Sequence, residues 1–322
     1  MKRLLCRFAC LFCLGLLTFG LISACSRNVD DHATSAQQPT QDCRIVQHVM
    51  GETCIPVNSQ RIVTLWTTIL GNTLALGIKP IASTYYTGEP FPKYLKNKAD
   101  GIRLIGNIRE PSLEKILQLK PDLILANSQL NSIYKPLAHI APTVVLSFPI
   151  PPPPWKQQLD ELAKVLHKEE ISKKLMDEYW QRIEKLKQIL GSRRNQIQIS
   201  VASLSPEYGI WAYGEKSPAG TVLKDVGLQR PSAQSGDLYS INNISEERLS
   251  DIDGDILFFL VRGEKGVEEM LQNLQQKPLW RQLQVVQQNK VYFVDAGHWH
   301  ALDILAMNAV IDDLFKYLAN TP

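Results

Sequence analysis

Two stretches of the chain match each other without a gap: Ser112-Leu-Glu114-Lys-Ile116-Leu-Gln-Leu-Lys-Pro-Asp122-Leu-Ile-Leu and Ser245-Glu-Glu247-Arg-Leu249-Ser-Asp-Ile-Asp-Gly-Asp255-Ile-Leu-Phe. In each copy a Ser lies two residues before a Glu, an aliphatic residue two after it, and an Asp eight after it, where an apolar run begins. Internal matches of this kind are typical of duplicated architectures. We therefore predict two similar lobes.

The repeated Ser and Glu also have a purely local explanation. A Ser is favoured at the N-cap of a helix, and a Glu in the first turn is stabilised by the helix dipole. Helix capping alone could therefore account for Glu114 and Glu247, and the repeat by itself does not assign them a function.

From residue 61 onwards, short apolar runs alternate with helical segments, which is typical of α/β layering with parallel strands. The predicted strands are 61–65, 80–84, 104–106, 122–126, 143–147, 198–202, 255–261 and 290–294, and the predicted helices include 68–76, 112–119 and 302–318. The fold class is thus α/β, with two similar lobes of parallel-type sheets and a ligand cleft between them.

A long helical stretch, 155–190, separates the two patterns, with a break expected near His167. An unbroken helix over 169–190 is about 33 Å long at about 1.5 Å per residue, the length of a whole lobe. It is either a covering helix of one large sheet or a stiff strut that joins two lobes. The predicted divisions are 1–24 signal peptide, 25–42 tether, 43–58 disulfide hairpin, 59–167 N-terminal lobe, 168–192 linking helix and 193–322 C-terminal lobe.

The first 24 residues have the basic start, apolar stretch and small residues of a secretory signal. The sequence Ile22-Ser-Ala-Cys25 resembles a bacterial lipobox, which implies lipidation of Cys25 and anchoring at the extracytoplasmic face of the cell envelope. The alternative is a plain soluble signal. The polar residues that follow, 26–42, are typical of a flexible tether.

Three of the six cysteines lie in the signal segment and Cys25 is the lipidation residue, so Cys43 and Cys54 remain. Because disulfides persist outside the cytosol, we expect these two to pair and to close a small hairpin. Such a loop would stabilise the fold by about 2 to 3 kcal/mol. The alternative is two free thiols.

Composition excludes some classes of function. The chain has 35 Lys and Arg against 32 Asp and Glu, and loss of Lys2, Arg3 and Arg7 with the signal leaves 32 against 32. A neutral chain without a basic block lacks the electrostatic footprint of a nucleic-acid binder. It also lacks the nucleophile elbow, the P-loop, the dinucleotide-binding glycines and the His-Glu-x-x-His pattern, so we predict no enzyme.

The chain resembles the iron-siderophore and cobalamin type of substrate-binding protein that serves ATP-binding-cassette importers. The resemblance covers about residues 61–318, and its best motif is Gly106-x-x-x-Glu110-Pro111-Ser-Leu-Glu114-Lys-Ile-x-x-Leu-Lys-Pro-Asp122-Leu-Ile. It implies a monomeric receptor without a cofactor that docks on a membrane permease through one exposed Glu on each lobe. Glu114 and Glu247 occupy the matching positions, although Glu246 is adjacent to the second.

Ligands of two-lobe α/β proteins lie at the carboxyl ends of strands, in the crevice between lobes. The residues just after the predicted strands are Trp66, Tyr85, Tyr86, Arg109, Trp211, Tyr213, Arg262, His298 and Trp299. Arginines suit the anionic oxygens around a chelated ferric ion, and aromatic rings suit the organic shell of a siderophore.

Other interpretations of these residues stay open. The aromatic residues could pack within a lobe, Arg109 and Arg262 could pair with surface acids, and His298 with His300 could hold a divalent metal. The function predicted is capture of a ferric siderophore for an importer, and the alternatives are receptors for haem, cobalamin or a divalent metal ion.

Overall fold

The computed structural model describes residues 43–86, 90–261 and 266–319. The predictions for the signal peptide 1–24, the tether, Cys25 and Arg262 fall outside these residues. Among the described residues, none of the helices combines the length and apolar character needed to cross a membrane.

The described chain begins with a β-hairpin. Strands β1 (Cys43–His48) and β2 (Gly51–Pro56) pair antiparallel, with Ile45 opposite Cys54. The predicted Cys43–Cys54 disulfide is confirmed, with a Cα–Cα distance of 5.5 Å. The hairpin is fixed to the first lobe because the Val49 amide donates to the Val145 carbonyl at 3.2 Å.

The N-terminal lobe contains a five-stranded sheet whose strands are all parallel, in the order β5-β4-β3-β6-β7. The strands are β3 (Ile62–Thr64), β4 (Ala82–Tyr85), β5 (Arg103–Asn107), β6 (Leu123–Asn127) and β7 (Thr143–Leu146), and the helices are α1 (Thr67–Ala75), α2 (Leu113–Leu119) and α3 (Tyr134–Ile140). Short 3-10 helices cover Lys93–Leu95 and Ser128–Ile133.

Two helices lead from the first lobe to the second. They are α4 (Trp155–Leu166) and α5 (Glu169–Leu190), and His167 between them has a left-handed φ of 54°, which ends α4 at the predicted break. Helix α5 buries Tyr179, Ile183 and Leu186 at helical spacing. A 3-10 turn, Gly191–Asn195, then enters the second lobe.

The C-terminal lobe contains a mixed sheet in the order β10-β9-β8-β11-β12. Its strands are β8 (Ile199–Ser205), β9 (Gly209–Tyr213), β10 (Ser240–Ile244), β11 (Ile256–Val261) and β12 (Val291–Asp295), and its helices are α6 (Pro218–Val226), α7 (Val267–Gln276), α8 (Pro278–Gln282), α9 (Gln284–Gln287), α10 (Ala296–Trp299) and α11 (Ile304–Leu318). Two 3-10 helices cover Ser232–Gln234 and Glu246–Ile252.

The second sheet differs in one respect from the expected parallel arrangement. Strands β8 and β11 and strands β11 and β12 run parallel, but β9 is antiparallel to both β8 and β10. Trp211 and Tyr213, expected in a loop, therefore lie within strand β9. A tight turn after β8 reverses the chain, so β8 and β9 form a hairpin where a loop was expected.

The sequence repeat corresponds to equivalent positions in the two lobes. In each lobe the repeated Glu begins a helix that follows an edge strand, β5 or β10. The repeated Asp also has one role in both copies. Asp122 accepts hydrogen bonds from the amide of Gln60 at 2.6 Å, just before β3, and Asp255 accepts one from the amide of Gln198 at 2.8 Å, just before β8.

One apolar core runs through both lobes. It joins buried residues of the first sheet, such as Leu125, to Tyr179 of α5, Phe258 of β11 and Met307 of α11. Because buried residues of both lobes belong to the same cluster, the lobes pack against each other and are also joined by α5. This contact fixes how the carboxyl ends of the two sheets face each other.

Helix α11 also enters the N-terminal lobe through a buried polar contact. Asp303 caps α11 by accepting from the Ala306 amide at 3.0 Å, and its other oxygen accepts from the Tyr94 hydroxyl at 2.6 Å. The next amide, of Ile304, donates to Asn72 of α1 at 3.1 Å. A Cβ on Gly71 would lie 2.4 Å from the Asp303 carboxyl carbon, so only glycine permits this approach.

The linking helix is held to the second lobe by a second carboxylate. Asp225 of α6 accepts from the Tyr179 hydroxyl of α5 and pairs with the Lys156 ammonium of α4, each at 2.5 Å. The ammonium also lies 4.4 Å from the ring centroid of Trp180. Three helices therefore meet at one partly buried charge pair.

We expect Asp225→Ala to destabilise the protein by about 2 to 3 kcal/mol, because it leaves a partly buried ammonium and a buried phenol without their acceptor. Urea unfolding followed by circular dichroism measures this loss. The matched control is Asp160→Ala, which removes an exposed i,i+4 pair with Lys164 and should cost less than about 1 kcal/mol. Equal losses for both variants would contradict the role of Asp225.

A pH dependence follows from Asp303. Burial raises the pKa of Asp303 to about 6, although hydrogen bonds from Tyr94 and from the backbone oppose the shift. Since the folded pKa exceeds the unfolded value, the contribution of this group is fully present below about pH 4 and is lost as the pH rises through about 6.

Relative to Asp303→Asn, the wild-type free energy of unfolding should therefore fall by about 2 to 3 kcal/mol between pH 4 and pH 7. Urea titrations at four pH values measure the difference. The control Asp312→Asn removes an exposed carboxylate of the same helix and should follow the wild-type profile. A wild-type minus Asp303→Asn difference that does not change with pH would refute the assignment.

Candidate functional site

Aromatic side chains collect at the carboxyl ends of the central strands in the N-terminal lobe. Trp66 follows β3, Tyr85 ends β4 and Tyr86 follows it, and all three are half-buried. The Trp66 ring lies 6.3 Å from that of Tyr86 and 5.4 Å from that of Phe148, which follows β7. We call Trp66, Tyr86 and Phe148 the N-terminal wall.

Arg109 lies on a tight turn beyond β5. Gly106 has a φ of +108°, and a Cβ there would lie 2.5 Å from the Glu110 carbonyl, so the turn requires glycine. The Asn107 side chain accepts from the amides of Arg109 and Glu110 at 2.8 and 3.0 Å. The local sequence therefore fixes the backbone while the Arg109 side chain stays exposed.

The C-terminal lobe contributes a stack of three rings. Trp211 of β9 stacks on Tyr208 at 5.4 Å with an interplanar angle of 8°, and on His300 at 5.8 Å and 17°. The Tyr213 hydroxyl lies 2.8 Å from Nδ1 of His300 and orients that ring. We call Tyr208, Trp211 and His300 the C-terminal stack.

Groups of the N-terminal lobe act electrostatically on two tyrosines of the C-terminal lobe. A hydrogen bond with Glu207 raises the pKa of Tyr208, whereas the positive charge of Arg109 in the other lobe acts to lower it. Burial, reinforced by Tyr86 of the other lobe, raises the pKa of Tyr239 to about 12. The Arg109–Tyr208 and Tyr86–Tyr239 interactions each link a residue of the N-terminal lobe with one of the C-terminal lobe.

Trp299 was predicted to contact the ligand, but the structure buries it in the core of the C-terminal lobe. Its indole is 0% exposed, donates to Asp313 at 2.8 Å and lies 4.6 Å from the Phe258 ring. The residue belongs to α10, which turns its side chain into the core of the lobe. A position just after a strand does not place a side chain in a cleft when a helix begins there.

Tyr213 and His298 are present near the lobe interface but have protein partners. Tyr213 is 3% exposed, so it acts on the C-terminal stack through His300 instead of forming an open surface. His298 lies 2.8 Å from Asp313 and 6.4 Å from the Tyr94 ring. The described residues contain no group of three or more His, Cys, Asp or Glu side chains that could hold a metal ion.

Sequence reasoning missed Tyr208 and Tyr239, and it considered His300 only as a metal ligand with His298. The alternation in Gly209-Ile-Trp-Ala-Tyr213 was an available signal, because it indicates a strand with Trp211 and Tyr213 on one face. A strand there would have placed Tyr208 in the turn of a hairpin. Nothing in the local sequence around Tyr239 or His300 indicates their neighbours in space.

The two acids of the repeat are on the surface. Glu114 is exposed in the first turn of α2 and accepts a hydrogen bond from Gln118 at 3.2 Å. Glu246 forms an ion pair with Lys277 at 3.0 Å. Hydrogen bonds from the Ser245 hydroxyl and from its own backbone amide lower the pKa of the exposed Glu247.

The chain matches a known protein family over most of its length. The model of the family described as periplasmic binding protein matches residues 62–297. The chain belongs to this family. The predicted class, a substrate-binding protein of transport and not an enzyme, is confirmed by this membership.

Individual relatives share most of the chain. The chain is 31% identical over 319 residues to a probable siderophore-binding lipoprotein, YfiY, of Bacillus subtilis, covering 95% of this chain and 96% of the relative. It is 29% identical over 289 residues to the Fe(3+)-citrate-binding protein YfmC of the same species, covering 88% of each.

A solved structure extends the similarity to the fold. Staphylococcus aureus SirA complexed with staphyloferrin B has a TM-score of 0.72 and 26% identity, over 85% of this chain and 98% of that chain. The fold of two α/β lobes joined by a long helix, predicted from the repeat, is thereby confirmed.

Proposed function

We propose that this protein captures a ferric siderophore between its lobes and delivers it to the permease of an ATP-binding-cassette importer. The observation that carries the proposal is a cluster of aromatic rings on each lobe, with Arg109 of the N-terminal lobe acting electrostatically on Tyr208 of the C-terminal stack. Relatives named for binding siderophores and Fe(3+)-citrate, and SirA in complex with staphyloferrin B, support the same class of ligand.

The chemistry of the ligand explains why such a site needs no metal-ligating side chains. A siderophore saturates the ferric ion with its own oxygen atoms, so the protein recognises an organic shell with anionic oxygens. Trp66 and Trp211 offer flat apolar surfaces, and the Arg109 guanidinium offers paired donors for those oxygens. The Trp211 indole N–H is buried without a hydrogen-bond partner among the described residues, and a ligand oxygen can satisfy it.

The N-terminal sequence supports attachment to a membrane. Lipidation of Cys25 would hold the protein at the extracytoplasmic face, where the permease opens, and the polar residues 26–42 would give it reach. The receptor would act as a monomer, with the lipid bilayer and the permease as partners. It uses no resident cofactor, because the iron is cargo.

Docking on the permease is assigned to Glu114 and Glu247. Both are exposed and lie at equivalent positions of the two lobes, whereas Glu246 is already paired with Lys277. This ion pair makes Glu247 the better of the two adjacent acids for contact with a cationic partner. Two charges at a fixed separation orient a complex and raise its association rate.

Receptors for haem, cobalamin or a divalent metal ion are the alternatives. We would titrate the purified protein with ferric citrate, ferrioxamine B, haemin, cyanocobalamin and Zn²⁺ and follow tryptophan fluorescence. Saturable quenching by an intact ferric chelate is expected. A response to haemin, cyanocobalamin or Zn²⁺ alone would overturn the siderophore assignment in favour of that ligand.

Single tryptophan substitutions can identify which indole the bound chelate quenches. Trp211→Phe should reduce the amplitude because it removes a fluorophore of the C-terminal stack, whereas Trp180→Phe on the outer surface of α5 should leave the cleft signal intact. If both variants respond alike, the chelate does not bind beside Trp211.

Arg109→Gln should weaken binding of the quenching chelate about tenfold, since it removes a charge-assisted pair of donors. The same titration measures the change. Arg103→Gln is the matched control, because Arg103 is also exposed but lies at the opposite end of β5. Unchanged affinity in Arg109→Gln would exclude this guanidinium from the ligand site.

The double variant Glu114→Ala/Glu247→Ala should retain chelate affinity and lose most uptake of ⁵⁵Fe when it replaces the native protein in cells. Each rim pair contributes about 0 to 1 kcal/mol, so the pair together can lower docking affinity about tenfold. Glu246→Ala is the control and should have the smaller effect. Loss of chelate binding in the double variant would refute a docking role.

A further inference from the structure

The first sheet reverses its winding direction between strands β3 and β6. Strands β4 and β5 lie on one side of β3, whereas β6 and β7 lie on the other. Helix α1 follows β3 and helix α3 follows β6, and they cover opposite faces of the sheet, because Ile69 packs in the core shared by the lobes and Leu137 in a separate cluster. Ligands of open α/β sheets bind in the crevice that such a reversal leaves at the carboxyl ends of the strands.

Helix α1 begins at this crevice without a cap. Its N-cap residue is Trp66, whose side chain makes no capping hydrogen bond. Among the described residues, no carbonyl or side-chain oxygen accepts from the amides of Thr67, Thr68 or Ile69. Thr67 and Thr68 are each 5% exposed, so this turn is largely shielded from water. A buried helix start without an acceptor is unusual, and it carries a partial positive charge.

A buried amide donor lies beside this helix start. Asn127 ends β6, is 1% exposed, and its Nδ2 has no hydrogen-bond partner in the described part of the chain. Its Oδ1 accepts from the Gln129 amide at 3.0 Å, which fixes the side chain. The parallel pairing that places Ile62 opposite Leu123 puts Trp66 opposite Asn127 when it is extended past the end of β3.

The side chain of Asn127 also points to the face of the sheet that α1 covers. Side chains alternate along a strand, so Asn127 shares a face with Leu123 and Leu125. Both leucines belong to the same apolar cluster as Ile69 of α1. The unpartnered N–H of Asn127 therefore lies on the side where α1 begins. Two independent sets of donors without acceptors, one from the backbone and one from a side chain, occur together at the switch point.

We propose that the amides of residues 67–69 and Nδ2 of Asn127, which we call the α1 anion subsite, bind a carboxylate of the ligand. This inference rests on the proposed function and specifies the ligand as a ferric chelate that carries carboxylate groups. All of these donors are N–H groups, so they stabilise an oxygen anion through charge-assisted hydrogen bonds and the helix dipole. A trishydroxamate such as ferrioxamine B offers only neutral amide oxygens and oxygens already bound to iron.

The α1 anion subsite and Arg109 lie at different places along the sheet edge. Arg109 is exposed beyond β5, which is separated from β3 by strand β4. Neighbouring strands lie about 4.8 Å apart, so β3 and β5 are about 10 Å apart. A chelate that uses both sites must therefore carry anionic oxygens on two sides.

Two substitutions test the subsite without removing the acceptor for Gln129. Asn127→Ser keeps an oxygen for that amide and removes Nδ2, so it should weaken binding of ferric citrate about tenfold. Asn127→Asp places a carboxylate of the protein itself at the helix start, so it should keep the fold and weaken binding further by competition and repulsion. The matched control, Asn131→Asp, adds the same charge at an exposed position four residues later and should bind like the wild type.

Fluorescence titrations of the purified full chain with ferric citrate and with ferrioxamine B measure these effects. We expect the wild type to bind ferric citrate at least about tenfold more tightly than ferrioxamine B, since only the citrate complex fills the subsite. The dissociation constant for ferrioxamine B should be the same in the wild type and in both Asn127 variants. Circular dichroism and urea unfolding establish that each variant is folded.

The outcomes separate this inference from the function on which it rests. If the Asn127 variants bind ferric citrate like the wild type, or weaken both chelates equally, the carboxylate subsite is refuted and capture of a ferric chelate stands. Tighter binding of ferrioxamine B than of ferric citrate by the wild type refutes the subsite in the same way. If neither chelate quenches the wild type, the proposed function and the subsite are both overturned.

Discussion

The relative position of the two sheets depends on a single apolar core that both lobes share. Leu125 of the first sheet, Tyr179 of the linking helix and Phe258 of the second sheet belong to one buried cluster. Because closely packed interiors deform little, such a core holds the carboxyl ends of the two sheets at a fixed separation. The N-terminal wall and the C-terminal stack are positioned by this packing.

Two carboxylates, the partly buried Asp225 and the fully buried Asp303, reinforce that arrangement at different places. Asp225 joins α4, α5 and α6, and Asp303 joins α11 to Tyr94 of the other lobe. Both accept a phenol hydrogen bond, which satisfies a polar group that would otherwise be costly to bury. The lobes are thus connected by a helix on one side and by a polar contact within the interface on the other.

Much of the fold could be predicted because its signals are local. The repeat identified two lobes, and the Asp residues of the repeat proved to tie equivalent strands together in each. Strand β10 could not be found in this way, since Asn242 and Asn243 give an edge strand no apolar alternation. The C-terminal stack was only partly predictable, because His300 and Trp211 are 89 residues apart in the sequence. Trp299 was wrongly assigned to the ligand site, because a helix begins after β12 and directs its side chain inward.

The position of α11 has a consequence for the order in which the molecule can mature. Leu305 of this helix packs against a cluster formed by Leu70, Leu95, Ala99 and Ile102, all of the N-terminal lobe. Part of the apolar surface of those residues therefore stays in contact with water until the helix has been synthesised. Removal of the C-terminal helix would therefore uncover part of the apolar interior of the N-terminal lobe.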